Sequence, residues 1–348
     1  MPTIRTLSCV ATLGIALACG GSEPTAPPAQ ASGPDIAFLS YRSGLTLWVT
    51  KAGDSTVTQV AAVRGYDLSY SWSPDGKRLA FAGGRDSASD GIYTVNADGT
   101  GLERLTTDPT WTWGVAWSPD GSKIAFVTYG GIHVMSAAGI GQVTVADSFL
   151  RTGPPDPISW SPDGKRIAYA NVADGWPEIF AVNADGSART RITHGHRGAG
   201  NCCGDANTGP SWSPDGNSIA YQHSDFDANK YEIHVIRVDG TGEVNLTANL
   251  PIALYPTWAP VGGLLAFWSL RGDAYELYVT NTTGSVPLPI TVGADYNACR
   301  YISWSADGTR LAYCAQGDVY AVGVDGSRVV NLTNNPAFDG SPAWSPRP

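Results

Sequence analysis

Trp72-Ser73-Pro74-Asp75-Gly76 decides the fold, because almost the same five residues return at intervals along the 348-residue chain. Close copies, degenerate copies and one partial copy begin at further tryptophans: Trp117, Trp160 and Trp212; Trp258 and Trp304; and Trp344. Successive copies lie 40 to 52 residues apart. Repeats of roughly 40–50 residues built from strands are typical of β-propeller blades.

Each repeat contains four strand signals and two tight turns. In the first complete copy a strand ends at Trp72, a Pro-Asp-Gly turn follows, and a second strand covers residues 79–81. A third strand at residues 92–95 leads through Asp98-Gly99 to a fourth at residues 104–106. β-Branched and aromatic residues predominate in these runs, and glycine after aspartate accepts the positive φ of a tight turn. The pattern predicts one four-stranded blade per copy.

The two ends of the repeated region are complementary. The region begins at Ile36 with a second strand that has no first strand before it, and the last copy, at Trp344, is a first strand with no second strand after it. We expect the C-terminal strand to complete the N-terminal blade, which closes the ring and removes two unpaired edges. This predicts an all-β propeller of seven four-stranded blades over residues 35–348. Because some copies are degenerate, six and eight blades are alternatives.

Residues 1–34 differ in composition from the repeats. Arg5 precedes an apolar run that ends at Cys19, which is too short to span a bilayer and is typical of a secretory signal. The run is similar to a bacterial lipobox, so residues 1–19 are the predicted signal and Cys19 the predicted lipidation site; an ordinary signal peptide cleaved nearby is the alternative. Residues 20–34, rich in Pro, Ala and Ser, are predicted to form a flexible tether. Gly20 and Gly21, by resemblance to bacterial sorting rules, favour an outer-membrane lipoprotein that faces the periplasm or the cell surface.

The net charge of the chain argues against two classes of partner. The formal charge is −9 at pH 7. Nucleic-acid binding needs Lys and Arg gathered on one face, and an anionic membrane surface attracts the same residues. We therefore expect no nucleic-acid partner, and contact with a membrane only through the N-terminal lipid.

The repeats resemble the TolB-type repeat, a WD40-like propeller unit. The matching motifs are Trp-Ser-Pro-Asp-Gly, Leu/Ile-Ala-Phe/Tyr, Ile-Tyr followed by Asn-Ala-Asp-Gly, and Arg-Leu-Thr. The resemblance covers about residues 35–348 and implies a TolB-type propeller; the lipobox-like end of residues 1–19 makes the expected protein a bacterial lipoprotein. It says little about function, because one fold hosts many unrelated functions.

The strand order assigns the connections of each blade to two faces. Turns from the first to the second strand and from the third to the fourth lie on one face, here called the turn face, and consist mainly of Asp-Gly. Loops from the second to the third strand and connections to the next blade lie on the other, here called the loop face, and they vary most. Variable loops on a rigid scaffold usually carry binding residues. The predicted ligand-binding residues are aromatic and basic side chains of the loop face: Tyr66, Trp111, Trp113, Arg151, His194, His196, Tyr255, Tyr296, Arg300 and Phe338.

Two histidines and the turn aspartates have structural explanations. His133 and His234 occupy the third-strand position that holds aromatic residues such as Tyr93 in other repeats, so we expect them to pack there. Asp75 and its equivalents recur too regularly to be catalytic, because the turn itself requires them.

The longest insertion brings histidines and cysteines together in the sequence. His194 and His196 precede Cys202 and Cys203, a set that could bind zinc. Because exported chains oxidise thiols and neighbouring cysteines fit one ion poorly, we predict no metal and no other cofactor.

The remaining cysteines predict one disulfide. Cys299 and Cys314 flank the hairpin at Trp304 at nearly opposite positions, so we expect them to pair. Cys202 and Cys203 would then form a strained vicinal bridge or stay as exposed thiols.

The fold and the absence of catalytic motifs favour a binding scaffold over an enzyme. The sequence contains no Gly-x-Ser-x-Gly elbow, no His-Glu-x-x-His and no Walker sequence. We expect a monomer whose loop face binds an envelope protein, a peptide or a glycan. The alternative is a polysaccharide lyase or hydrolase that resembles oligogalacturonate lyases, with His194, His196 or His223 at the channel mouth.

Overall fold

The computed structural model describes residues 35–42, 44–52, 56–62, 69–83, 90–106, 112–147, 158–195, 205–282, 286–291 and 301–346, with the side chain of Trp113 left out. The chain divides into a unit of residues 1–32 and a unit of residues 33–348, and every described residue belongs to the second. Within the described ranges, no helix has the length and apolar character needed to cross a membrane.

The described residues form 28 strands and no helix. In chain order the strands are β1 Asp35–Ser40, β2 Thr46–Lys51, β3 Val57–Ala62, β4 Tyr70–Trp72, β5 Arg78–Gly83, β6 Gly91–Asn96, β7 Glu103–Arg104, β8 Thr112–Trp117, β9 Lys123–Thr128, β10 Gly131–Ser136, β11 Val143–Ala146, β12 Ser159–Trp160, β13 Arg166–Ala173, β14 Trp176–Asn183, β15 Thr190–Arg191, β16 Asp205–Trp212, β17 Ser218–Asp225, β18 Lys230–Arg237, β19 Val244–Asn245, β20 Ala253–Trp258, β21 Leu264–Arg271, β22 Ala274–Asn281, β23 Leu288–Pro289, β24 Ser303–Trp304, β25 Arg310–Ala315, β26 Asp318–Gly323, β27 Val330–Asn331 and β28 Asp339–Trp344.

These strands form seven four-stranded antiparallel sheets, so the protein is a seven-bladed β-propeller. Blade 1 contains β28, β1, β2 and β3, and each later blade takes the next four strands, from β4–β7 in blade 2 to β24–β27 in blade 7. The prediction of seven blades is confirmed, and the alternatives of six and eight are wrong.

The C-terminal strand closes the ring as expected. β28 pairs antiparallel with β1, and Trp344 lies directly opposite Ile36. Beside this pairing, Arg42 Nη2 lies 2.6 Å from Asp339 Oδ2, and the Asp339 side chain is fully buried. The Arg42 guanidinium also lies over the ring of Trp48, 5.1 Å from its centre. A buried ion pair and a strand ladder therefore join the two ends of the described chain.

The repeated Trp-Ser-Pro-Asp-Gly turn is held by its own side chains. The Ser118 hydroxyl donates to Asp120 Oδ1 at 2.6 Å and accepts a hydrogen bond from the Lys123 backbone N–H at 2.9 Å. The hydrogen bond from Ser118 is the main reason that the pKa of Asp120 falls to about 2. The equivalent serine lowers the pKa of Asp163, Asp215 and Asp307 in the same way. These aspartates serve the turns, as the regularity of the repeat indicates.

The repeated tryptophans pack between neighbouring blades. Six are buried: Trp72, Trp117, Trp160, Trp212, Trp304 and Trp344. The indole N–H of Trp72, Trp160 or Trp304 donates to a backbone oxygen of the preceding blade at 3.0–3.1 Å. Trp258 differs in being only partly buried; its indole nitrogen, like that of Trp344, has no hydrogen-bond partner among the described residues. Burial stabilises the fold by about 2–3 kcal/mol for each buried tryptophan.

The serine that precedes the tryptophan forms a second contact between blades. Its hydroxyl accepts a hydrogen bond from the backbone N–H of the next blade's tryptophan at four junctions: Ser71 with Trp117, Ser159 with Trp212, Ser211 with Trp258, and Ser303 with Trp344, at 2.9–3.3 Å. The Ser-Trp pair thus connects one blade to the next through both of its residues.

The second and third strands of most blades carry a pair of facing rings. Phe81 stacks on Tyr93 with centroids 5.5 Å apart, and in blade 3 His133 takes the same place against Phe126 at 5.2 Å. In blade 5, His234 lies 5.8 Å from Tyr221. The expectation that His133 and His234 pack as ring residues is confirmed.

Within the described ranges, four first strands contain a bulge three residues before their tryptophan. The residue at the bulge has a positive φ and the pairing register shifts there: Gly114 at 69°, Gly209 at 60°, Tyr255 at 56° and Ser341 at 51°. Proline follows in three cases, at positions 210, 256 and 342. Proline has no backbone N–H to donate to the neighbouring strand, and the bulge takes it out of the regular pairing. Glycine adopts this conformation readily, whereas a residue with a Cβ does so at a cost of about 1–2 kcal/mol.

Removing the Asp339 carboxylate should loosen the ring closure. Asp339→Ala leaves the Arg42 charge largely buried without its partner, so we expect the free energy of unfolding to fall by about 3–5 kcal/mol. Chemical denaturation with equal protein concentrations measures the change. The control is Asp227→Ala, which removes an exposed carboxylate. Equal midpoints for Asp339→Ala and the wild type would show that the ion pair does not hold the closure.

Candidate binding face

Exposed aromatic side chains separate the two faces of the propeller. Four aromatic residues of the described chain are well exposed, at 44–59%, and all lie on the loop face: Tyr41, Tyr129, Phe226 and Tyr301. Large exposed residues of the turn face and the outer strands are aliphatic, among them Ile140, Val261, Val286 and Val329. Aromatic residues are enriched in binding interfaces and at their energetic centres. The loop face therefore has the composition of a recognition surface.

A buried carboxylate anchors the longest loop-face connection. Glu178, at the start of β14, is 1% exposed. Its Oε1 accepts the backbone N–H of Gly195 and a guanidinium N–H of Arg191, each at 2.7 Å, and the Thr193 hydroxyl also donates to the carboxylate. Asp318 of blade 7 holds the Thr333 hydroxyl and the Asn335 N–H in the same manner, at 3.0 Å each. Through these hydrogen bonds, Glu178 and Asp318 each fix the residues that directly follow the fourth strand of their blade.

From Glu178 a polar chain crosses to blade 5. Asn207 Nδ2 donates to Glu178 Oε2 at 2.8 Å, and the Asn207 carbonyl oxygen lies 2.9 Å from Nδ1 of His223. Since an amide oxygen only accepts, His223 carries its proton on Nδ1. The ring of His223 lies 4.7 Å from that of His234. His234 Nδ1 in turn donates to Glu243 at 2.7 Å.

Burial and the contact between the two histidine rings set the charge of the side chains in this hydrogen-bonded row. Burial, followed by the neighbouring His234 ring, lowers the pKa of His223 below 6.5, despite nearby carboxylates. Burial raises the pKa of Glu243, but hydrogen bonds from Tyr221 and His234 outweigh it and the net pKa is lowered. At neutral pH, His223 is therefore neutral and Glu243 is ionised.

Three of the predicted ligand-binding residues have described side chains, and they lie in three separate parts of the loop face. His194 is exposed and follows β15, next to the Glu178 anchor. Tyr255 lies at the bulge of β20 and is partly buried against the apolar core shared by blades 6 and 7. Phe338 is half-buried beside Tyr41, with ring centroids 6.1 Å apart in an edge-on arrangement.

The other predicted positions are beyond what the structure describes. Trp113 lies in β8, and its side chain is not described. The remaining positions fall outside the described residues: Tyr66, Trp111, Arg151, His196, Tyr296, Arg300, Cys19 and Cys299. Their roles in binding and lipidation remain predictions.

Cys314 is disulfide-bonded and fully buried. It is the one cysteine within the described ranges, so its partner lies outside them, and pairing with Cys299 stays a prediction. In the same part of the chain, no group of three or more His, Cys, Asp or Glu side chains is arranged to hold a metal ion.

Sequence reasoning missed several residues of this face. Glu178, Asn207 and Glu243 belong to the polar chain, and the exposed Tyr129 and Phe226 were not among the expected binding residues. One usable signal was an acidic residue before the aliphatic start of the third strand in four consecutive blades, at Glu178, Glu232, Glu276 and Asp318. For the aromatic residues, the signal was their position in the second-to-third loops.

Fold and surface together define a seven-bladed β-propeller with regular turns on one face and an aromatic, polar loop face on the other. The chain belongs to the PD40 family, the TolB beta propeller domain, whose family model matches residues 20–139 and 159–347. The resemblance of the repeats to the TolB-type unit is thereby confirmed.

Individual relatives are distant. A Tol-Pal system protein TolB from Anaeromyxobacter dehalogenans is 30% identical over 118 residues, which make up 33% of this chain and 26% of that protein. TolB from Acinetobacter baumannii aligns with a TM-score of 0.57 at 15% identity, covering 90% of this chain and 83% of that one. Oligogalacturonate lyase from Vibrio parahaemolyticus aligns with a TM-score of 0.58 at 13% identity, covering 87% and 86%. The chain spans about half or less of the length of the curated relatives it matches, and the structural likenesses show the fold alone.

The lowered pKa of His223 predicts a loss of stability in mild acid. Its folded pKa lies below the unfolded value of 6.5, so the contribution to stability is full above pH 6.5 and is lost as pH falls through the folded pKa. We expect the unfolding free energy to decrease from pH 7 to pH 5.5, and His223→Asn to make that dependence shallower, by at most about 1.4 kcal/mol per pH unit. Denaturant titrations at several pH values measure the slope. His194→Asn, at an exposed position, is the control; equal slopes for His223→Asn and the wild type would contradict the assignment.

Proposed function

We propose that this protein is an exported, non-catalytic scaffold whose loop face binds a protein, peptide or glycan partner in the cell envelope. The observation that carries the proposal is the restriction of well-exposed aromatic side chains, within the described residues, to the loop face. Ring side chains with polar neighbours give large contact area at low entropic cost, which suits recognition. A relative named as a protein of the Tol-Pal system supports, by analogy, a role as one component of a larger assembly.

Substitution of the exposed aromatic residues should abolish capture of the partner. We expect the variant Tyr41→Ser, Tyr129→Ser, Phe226→Ser and Tyr301→Ser to lose most of the material that the wild type retains from envelope extracts, as measured by pull-down and quantitative mass spectrometry. The matched control replaces four exposed aliphatic residues elsewhere: Ile140→Ser, Val261→Ser, Val286→Ser and Val329→Ser. Equal loss in both variants, or retained capture by a folded aromatic variant, would refute a binding role for the loop face.

The proposal includes a membrane anchor at Cys19, based on the lipobox-like end of residues 1–19 and the tether of residues 20–34. We expect the protein expressed in a bacterium to incorporate a labelled fatty acid and to sediment with outer membranes. Cys19→Ala should abolish labelling and leave the protein in the soluble fraction or as an uncleaved precursor. Cys9→Ala is the matched control within the same segment. Export without lipid incorporation would instead indicate an ordinary signal peptide.

The second candidate function is a polysaccharide lyase or hydrolase. It is favoured by His223, whose lowered pKa leaves a neutral imidazole able to accept a proton at neutral pH, and by a fold shared with oligogalacturonate lyase. Metal analysis of the purified protein and a screen for glycan cleavage distinguish this function from the scaffold. Turnover that disappears in a His223→Asn variant would favour the enzyme.

A further inference from the structure

Four aromatic side chains gather where blades 5 and 6 meet on the loop face. We call Phe226, Tyr231, Tyr255 and Tyr275 the aromatic cluster. Phe226 is 44% exposed and meets Tyr231 edge-on, with centroids 6.3 Å apart. Tyr231, Tyr255 and Tyr275 are partly buried against the apolar core shared by blades 6 and 7. Tyr275 also has a raised pKa, mainly from burial and then from the nearby hydroxyls of Tyr255 and Tyr231.

Tyr255 is held in a conformation that tyrosine adopts at a cost. Its φ is 56°, whereas blades 3 and 5 place Gly114 and Gly209 at the same bulge. The left-handed conformation costs about 1–2 kcal/mol for a residue with a Cβ. Strained residues of this kind concentrate at functional sites, where the surrounding structure holds them in place. Blade 1 has Ser341 at the same bulge, so Tyr255 is the one residue with a ring among the four described bulges.

Carboxylates outnumber bases in the loops that carry the cluster. Asp225 and Asp227 flank Phe226, and Asp273 precedes Tyr275 by two residues. Glu232 and Glu276 lie at the starts of β18 and β22, each near one base: Lys230 at 3.8 Å and Arg271 at 3.5 Å. These loops therefore carry five carboxylates and two basic residues, and each basic residue forms an ion pair with a glutamate.

This combination selects for a cation. The faces of aromatic rings carry negative partial charge and attract ammonium or guanidinium groups, and carboxylates nearby add Coulombic attraction. An anionic sugar or phosphate would instead meet like charge. Neutral sugars can stack on rings, but they gain nothing from the surplus of carboxylates.

We propose that the aromatic cluster binds the Lys or Arg side chain of a partner polypeptide. The inference rests on the proposed binding function and narrows it, because it names one part of the loop face and the chemistry of the group bound there.

Short peptides that carry the proposed cation test the site directly. The probe is fluorescein-labelled Gly-Arg-Gly-Arg-Gly amide, compared with the same peptide carrying Gln in place of Arg, and binding to the purified full chain is followed by fluorescence anisotropy. We expect the Arg peptide to bind about ten-fold more tightly than the Gln peptide, and the difference to shrink as salt is raised.

Variants locate the site. Phe226→Ala and Tyr255→Gly should each weaken binding of the Arg peptide several-fold, and glycine at 255 keeps the bulge while removing the ring. Asp227→Asn with Asp273→Asn should reduce the preference for Arg over Gln. Ile140→Ala, an exposed residue on the turn face of blade 3, is the control and should leave binding unchanged. Equal affinity for both peptides, equal weakening by Ile140→Ala, or binding of a neutral oligosaccharide in place of the Arg peptide would overturn the proposal.

The two proposals can fail separately. A partner captured equally by the wild type and by the Phe226→Ala, Tyr255→Gly double variant, but lost on substitution of Tyr41 and Tyr301, contradicts only the cation site. Absence of any partner in the pull-down, with selective and cluster-dependent binding of the Arg peptide, contradicts only the envelope scaffold.

Discussion

The antiparallel pairing of β28 with β1 is the constraint on which the rest of the molecule depends. Each blade buries both faces of its sheet against neighbours, so an open row would expose the faces of the two end blades as well as two unpaired strand edges. The pairing of Ile36 with Trp344 removes both costs at once. It also brings Arg42 to Asp339, 297 residues away, where burial of the carboxylate makes the ion pair sensitive to loss of either partner. The loop face is a single surface only because the ring is closed.

The two faces differ because different physical demands act on them. On the turn face, serine and aspartate side chains satisfy the backbone donors of every Trp-Ser-Pro-Asp-Gly turn, so the same residues are needed in each repeat. On the loop face, backbone groups after the fourth strand are held by acids such as the buried Glu178 and the half-buried Asp318, and the sequences of these connections vary between repeats. Sequence variation is therefore tolerated on the face where aromatic residues accumulate.

The polar chain and the aromatic cluster lie on opposite sides of blade 5, toward blade 4 and blade 6. The first is mostly internal, with Asn207 and Glu178 satisfying one another, and it couples the anchoring of a connection to the protonation state of His223. The second is partly exposed and rich in ring faces and carboxylates. The polar chain is therefore suited to stabilising the fold. The aromatic cluster is suited to recognition, because only groups that reach solvent can contact a partner.

The sequence by itself determined the blade, the turn and the closure. A recurring Trp-Ser-Pro-Asp-Gly motif with flanking β-branched runs implies its own local structure, because tight turns and strand alternation depend on neighbouring residues, and counting copies then predicts seven blades. The ring positions of His133 and His234 followed from the same periodicity. Only the tertiary structure decided which side chains distant in the sequence meet. The contact of Asn207 with Glu178 joins blades 5 and 4, and that of Arg42 with Asp339 joins residues 297 positions apart. The burial of Trp258 also departs from that of its equivalents. Such contacts depend on distances across the ring, which no local sequence rule encodes.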